Sequence, residues 1–350
     1  MTTSFSDMTG REEQILKVLI DHYISTAEPV ASGALAAKYN LGLSPATIRN
    51  TIKNLEEMGL VRQPHTSAGR IPTIQGYRMY VDYLLRPEKL SVADRQKIRK
   101  NLQREYSGID QILEQTSRVL GNVSNQLGLT ISPRFDSGII TRLELIPVAE
   151  RRVLVVLAMR LGLARTVLLE VETDLQDVAL ADTATVLNER LCGLTIGEMR
   201  KTVKDRLADS SRGDPRLIKM FIESADKLLM FSDKADVHLG GTRNILAQPE
   251  FKDPARVREL FELIEERQTV AQLVSRAGIS EGITVTLGVE GCGVGDDVKD
   301  AEELSLLSST YSAGKFRGIL GIIGPTRMPY SKLVAVVEYT AKRLSEILSE

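Results

Sequence analysis

A serine followed by a proline, Ser44-Pro45, begins the most tightly specified stretch of this 350-residue chain. Serine at an N-cap accepts from the first free backbone N–H groups of a helix, and proline is preset for the first helical position, so the pair marks a helix start. Ile48, Ile52 and Leu55 give that helix one apolar face, and Gly59 stops it. Upstream, Thr9 and Glu12 fit a capping box for a helix over 9–26, striped by Ile15, Leu16, Leu19, Ile20 and Tyr23. Pro29 closes that helix, and Ser32 caps a short one over 33–39. Downstream, 61–63 and 70–72 read as short strands around the polar hairpin Pro64-His65-Thr66-Ser67-Ala68-Gly69, and a helix over 73–85 follows. Three helices, a hairpin and a closing helix in this order predict a winged helix-turn-helix domain over 1–88.

With Ile48, Ile52 and Leu55 turned inward, about 100° per residue points Ala46, Asn50 and Lys53 outward, with Thr47 and Arg49 on the flanks. A small, polar and basic face with little bulk near its N-terminus suits a helix entering a DNA major groove. There Arg49 suits guanine, Asn50 suits adenine, and Ser44 with the helix N-terminus suits a phosphate. His65, Thr66, Ser67 and Arg70 lie on the hairpin, where a wing meets the phosphate backbone. Between Ser44 and Tyr80 the basic residues Arg49, Lys53, Arg62, Arg70 and Arg78 face only Glu56 and Glu57 in opposition. The alternative is a solvated amphipathic helix in a three-helix core; the adjoining hairpin favours DNA.

Arg86-Pro87-Glu88-Lys89 reads as a linker, and 89–128 as connecting helices near 92–106 and 109–127. Beyond Leu129 the pattern changes. Apolar runs at 138–147, 152–158 and 165–170 read as strands, followed by helices near 174–190, 196–208, 215–231 and 255–276. Strand-like runs return at 283–287, 305–311 and 318–323, and a last helix covers 331–348. Strands, then helices, then strands predict an α+β domain with a helical block inserted in its middle. The expected division is 129–190 with 277–350 as one domain and 191–276 as the insertion.

Composition narrows the function. The net charge of −1 excludes a uniformly basic nucleic-acid coat, so any DNA contact must be local. Two cysteines and three histidines supply no zinc framework or disulfide scaffold, which fits a reducing, cytoplasmic location. No signal peptide or membrane-spanning run stands out. No Ser/His/Asp, Cys/His or paired-carboxylate pattern argues for catalysis, so no catalytic, cofactor or metal residue is expected. Gly291-Cys292-Gly293-Val294-Gly295 lacks the third glycine of a nucleotide loop and reads as a surface loop. Cys192, beside Leu191 and Leu194, reads as a small core residue. Gly324-Pro325-Thr326-Arg327 suits either an anion cradle or a turn before the last helix.

The strings Leu43-Ser44-Pro45-Ala46-Thr47-Ile48-Arg49-Asn50, Leu55-Glu56-Glu57-Met58-Gly59-Leu60, and Gln63-Pro64-His65-Thr66-Ser67-Ala68-Gly69-Arg70-Ile71-Pro72-Thr73 carry a resemblance. So do Gly76-Tyr77-Arg78-Met79-Tyr80-Val81-Asp82 and Gly321-Ile322-Ile323-Gly324-Pro325-Thr326-Arg327-Met328. Together they resemble the HrcA heat-inducible repressor family. The resemblance implies a winged helix, a GAF-like domain and an inserted dimerisation domain. It further implies a homodimer on an inverted-repeat operator in double-stranded DNA before chaperone operons, kept active by the GroE chaperonin. The glycine-rich segment 288–297 is longer than the link the resemblance implies there. The alternative is a winged-helix regulator gated by a small effector in the GAF-like domain.

Overall fold

The computed structural model describes residues 8–103, 108–133, 138–149, 151–160, 164–170, 177–209, 212–229, 237–276, 282–288, 304–314 and 316–349. The capping box at Thr9 and the Ser44 cap form, but Ser32 does not cap its helix: it is the first helical residue, and the N-cap is Ala31, which makes no side-chain capping bond. Helix α1, Gly10–Thr26, carries the capping box: Thr9 N–H donates to Glu12 Oε2 at 2.9 Å, and Glu12 N–H returns to Thr9 Oγ1 at 3.3 Å. The Thr9 backbone bond holds the Glu12 carboxyl below its ordinary range. Helix α2 is Ser32–Lys38 and α3 is Pro45–Glu57. Gly59, at φ 74°, supplies the left-handed turn that ends α3. Strands β1, Val61–Arg62, and β2, Ile71–Pro72, pair antiparallel. Helix α4, Ile74–Met79, continues into a π turn, Tyr80–Leu84. There the Tyr80 hydroxyl donates to Asp21 at 2.6 Å; burial first, then this bond, holds its proton on.

Helices α5, Val92–Leu102, and α6, Ile109–Ser124, lead into β3, Leu127–Ile131. This strand sits inside a five-stranded antiparallel sheet. Its neighbours are β7, Val237–Gly240, and β10, Phe316–Pro325; then come β9, Leu304–Ala313, and β8, Ile283–Leu287. Alternation serves two cores. Leu127, Leu129 and Ile131 pack with α10, Thr242–Leu246, α11, Pro254–Glu265, and α12, Arg267–Arg276. Leu320, Ile322, Leu307 and Tyr311 join α5, α6, α13, Tyr330–Ile347, and the interior of the winged helix in one apolar cluster. Helix α6 lies close on the sheet because glycines leave room. A Cβ on Gly128 would come within 2.1 Å of the Ser117 carbonyl oxygen, and one on Gly121 within 2.4 Å of the Gly240 carbonyl oxygen.

A second sheet stands apart from the first. Strands β4, Ile140–Ala149, β5, Arg152–Met159, and β6, Ala164–Glu170, pair as an antiparallel meander. Helices α7, Asp177–Leu191, α8, Ile196–Leu207, and α9, Pro215–Leu229, share its core through residues such as Val155, Leu157, Leu187, Met199 and Phe221. The mixed α+β class holds, but the expected division does not follow the sheets. Among the described residues 140–170 do not pair with 283–323; of the range 129–190 only 129–131, in β3, joins the sheet that 277–350 contributes to. The interruption between β3 and β7 contains the whole meander and its helices, while 237–276 belongs to the five-stranded sheet. The physical reason is proximity: strands close together in the chain pair with each other first. The other reason is that β3 and β7 are too short to announce themselves. Leu127 extends the apolar stripe of α6 and reads as helix, yet Asn125 takes a left-handed conformation and ends it.

Candidate nucleic-acid interface

The face expected to read DNA is built by α3 and its N-cap. Ser44 Oγ accepts the Thr47 N–H at 3.1 Å and lies 2.9 Å from Thr47 Oγ1. Thr47 is thereby half-buried and partly committed to the cap, while Ser44 stays exposed. Ile48, Ile52 and Leu55 are buried, and Thr51 beside them bonds back to the Thr47 carbonyl at 3.0 Å. Ala46, Arg49, Asn50 and Lys53 are exposed along the opposite side. No hydrogen bond or ion pair holds Arg49 or Asn50 among the described residues. Lys53 reaches Glu57 at 3.5 Å, a fully solvated pair that restrains it little.

The hairpin closes on one side chain. Gln63 donates to the carbonyls of Thr66 and Ala68 at 2.9 and 3.0 Å. His65, Thr66 and Ser67 stand exposed at the tip. At its base Val30 and Arg70 exchange backbone hydrogen bonds of 2.8 Å in both directions. Gly69 is required there, since a Cβ would lie 2.4 Å from Val30 backbone.

Arg70 departs from its expected role. Its guanidinium turns back onto Glu56 at 2.9 Å and is only 23% exposed. It joins the wing to the flank of α3 instead of pointing outward from the hairpin tip. Sequence reading saw a basic residue on a hairpin; its acidic partner is set by how β2 docks on α3, which spacing does not reveal. Beside these, the structure ties in Asn54, which the sequence reading passes over, and exposes Arg62, which it counts only in the local basic patch. Asn54 donates to Glu12 at 3.2 Å, tying the outer end of α3 to the cap of α1. Arg62 is exposed on β1 at the hairpin's entrance.

The remaining candidates resolve differently. Cys192 ends α7, contacts Asn188 and is pushed toward the thiol form by burial, as a core residue would be. Cys292 and the 291–295 glycine loop, with nearly all of 288–297, lie outside the described residues. Arg327 is neutralised by Glu250 at 2.6 Å, so the 324–327 turn is not an open anion cradle. Among the described residues, no group of three or more His, Cys, Asp or Glu is placed to hold a metal. Among them too, no helix is long and apolar enough to cross a membrane.

Comparison with known proteins gives these features a context. Residues 7–82 match a family model described as "Winged helix-turn-helix transcription repressor, HrcA DNA-binding", and residues 110–334 one described as "HrcA protein C terminal domain". The "Heat-inducible transcription repressor HrcA" of Geobacter sulfurreducens is 37% identical over 344 residues, covering 98% of this chain and 99% of that one. The protein of the same name from Chlorobium phaeobacteroides is 36% identical over 354 residues, covering 99% of each. A solved structure described only as a hypothetical protein shares the fold, with a TM-score of 0.62 at 24% identity over 98% of this chain and 99% of that one.

Proposed function

The chain belongs to the HrcA family of heat-inducible transcription repressors, and from that premise we propose that it silences chaperone operons by binding an inverted-repeat operator in double-stranded DNA as a homodimer. The observation that carries the proposal is the exposed, uncommitted pair Arg49 and Asn50 on a capped helix beside a polar wing tip. In this reading Arg49 and Asn50 contact base edges, and Ala46 and Thr47 permit close approach. Ser44, Lys53, His65, Thr66 and Ser67 meet phosphates, and Arg70 holds the wing in place. One such helix reads too few bases for specificity, and an inverted repeat is matched by two-fold symmetry. No catalytic step is part of this function.

The second copy is best received by the meander. Across it, Ile146, Leu154 and Leu168 form one cross-strand row on the face away from the helices. Ile146 and Leu168 are 39% and 45% exposed. Ion pairs Arg152–Glu170 and Arg142–Glu144 flank the row on either side, so the face carries both signs at each end and can meet its own copy. We read this unit as the inserted dimerisation domain and the five-stranded sheet with its helices as the GAF-like domain.

Dependence on a GroE-type chaperonin follows from the same reading. Strand β3 pairs with β10 across most of the chain, and long-range pairing is slow and leaves apolar edges open meanwhile. Unfolded clients that occupy the chaperonin in heat would then deplete active repressor. Footprinting on the organism's own chaperone promoters should show two protected half-sites, lost in Arg49→Ala. Absence of protection at every such promoter would overturn the reading. Heated, diluted protein should regain operator binding with chaperonin and ATP and poorly without them. Full unaided recovery, or a metabolite that alone toggles affinity, would favour the effector-gated alternative.

A further inference from the structure

Helix α1 ends without a basic residue in its last turn. Ala27 caps it in a left-handed conformation and donates to the Tyr23 carbonyl at 2.9 Å, while the Glu28 N–H turns to Thr26 Oγ1 at 3.3 Å. The Ile24 carbonyl is thus one of the orphan acceptors at the negative end of the helix. It is taken by a residue 303 positions away: Arg327 Nη1 donates to it at 2.6 Å. The same guanidinium is 11% exposed and grips Glu250 with both arms, Nε to Oε1 at 2.6 Å and Nη2 to Oε2 at 3.2 Å. Glu250 lies in a 3-10 turn, Pro249–Lys252, packed with α10 and α11. One side chain therefore fastens the first helix of the winged domain, that turn and the loop after β10.

Other contacts cross this seam, but among the described residues none of them is a buried ion pair. Arg78, 44% exposed, donates to the Val285 carbonyl at 3.0 Å, and Glu88 N–H donates to the Ser331 carbonyl at 3.1 Å. The Tyr77 ring meets Tyr330 with centroids 6.2 Å apart. The Tyr77 hydroxyl is buried at the seam with no hydrogen-bond partner among the described residues, a costly arrangement that any separation would relieve. Apolar packing across the seam is not directional, so the polar contacts are what can fix its angle.

We propose that Arg327, held by Glu250, is a positioning residue for operator recognition: it sets the angle of the winged domain on the five-stranded sheet, and so the separation of the two α3 helices in the dimer. A guanidinium suits this role because its planar fork fixes direction as well as distance, which a point charge does not. The proposal rests on the dimeric, inverted-repeat reading above. A head held at one angle gives the second half-site a high effective concentration; a swivelling head loses that advantage without losing its own contacts.

The test uses full-length protein on DNA carrying one half-site, the native operator, and operators with the spacer lengthened or shortened. Wild type should bind the native spacing best. In Arg327→Gln/Glu250→Gln, which leaves no lone buried charge, half-site affinity should stay within about twofold while native-operator affinity falls about tenfold or more and the spacer profile flattens. Arg327→Lys, which keeps the charge but not the fork, should flatten the profile partly; it serves as the reporter where the double variant melts early. A sharp wild-type profile that neither variant changes would overturn the proposal while leaving the dimer reading intact. A wild-type profile flat in spacer length would overturn the proposal alone, since the heads would already swivel; a native operator bound no more tightly than one half-site would overturn the dimer reading, and the proposal with it.

Discussion

Strands β4, β5 and β6 follow one another in the chain and pair in that order, whereas β3 lies between β7 and β10, which come from far downstream. The meander keeps one face for its helices and turns Ile146 and Leu168 to the outside. The five-stranded sheet has helices on both faces and buries its central strands almost completely. The first is assembled from local hairpins and leaves one face open; the second is covered on both faces but only after distant strands meet. A sheet's contact order and its open face are separate design choices, and this protein uses one sheet for each.

Gly128→Val should produce the largest effect and tests the closed sheet. The new side chain would drive into the backbone of α6, where nothing flexible can yield, at a cost of about 3 kcal/mol or more. Chemical denaturation should show early loss of the five-stranded sheet with the meander's protection against hydrogen exchange intact. Simultaneous loss of both would show that the sheets are one cooperative unit and break the contrast.

Leu154→Lys tests the open sheet from the other side. Placed in the middle of the outward row, a charge should divide the dimer and lower operator affinity on the order of a hundredfold by losing the second half-site. Thermal melting of the separated chains should move little, because that face is solvated in a lone chain. An unchanged sedimentation profile would count against the face as the dimer surface.

The winged domain, local like the meander, sharpens the comparison at the level of single residues. Asn50→Ala should cost about 1–3 kcal/mol on operator DNA and less on random DNA. Arg70→Ala should weaken both similarly, and should also lower stability by about 1 kcal/mol, a figure reduced for partial solvent screening of its pair with Glu56. A wing charge that only touched phosphate would leave the melting temperature alone.

The smallest effect concerns Glu12. Its carboxyl is held below the ordinary 4.5 by the Thr9 N–H, so its contribution is fully present above that value and is lost as pH falls through the lowered one. Glu12→Gln should therefore flatten the acid side of the domain's stability profile by a few tenths of a kcal/mol. A profile identical to wild type below pH 5 would show that the box is not formed in solution.

What could be read from the sequence follows the same division. Thr9 with Glu12, Ser44-Pro45 and Gly59 act within a few residues of themselves, so the helices they bound were legible, and with them the exposure of Arg49 and Asn50. Strand β3 was hidden because only Asn125 and Gln126, with no glycine or proline, separate it from a helix whose stripe it continues. The partners of Arg70 and Arg327 were hidden because Glu56 and Glu250 reach them only through tertiary packing. Local chemistry announced the reading face; it said nothing of what aims it.

The seam that carries Arg327 has a further consequence in the order of synthesis. Leu129 lies opposite Gly321, and the contacts that seat the winged domain come from Arg327, Tyr330 and Ser331. At about 5–20 residues per second, a nascent chain spends on the order of 10–40 s with the first made and the last absent. During that interval its head has its own caps and core, yet nothing aims it at a second half-site. On the proposed role of Arg327, a chain cut before residue 316 should stay in that condition permanently, with a head that has no fixed angle.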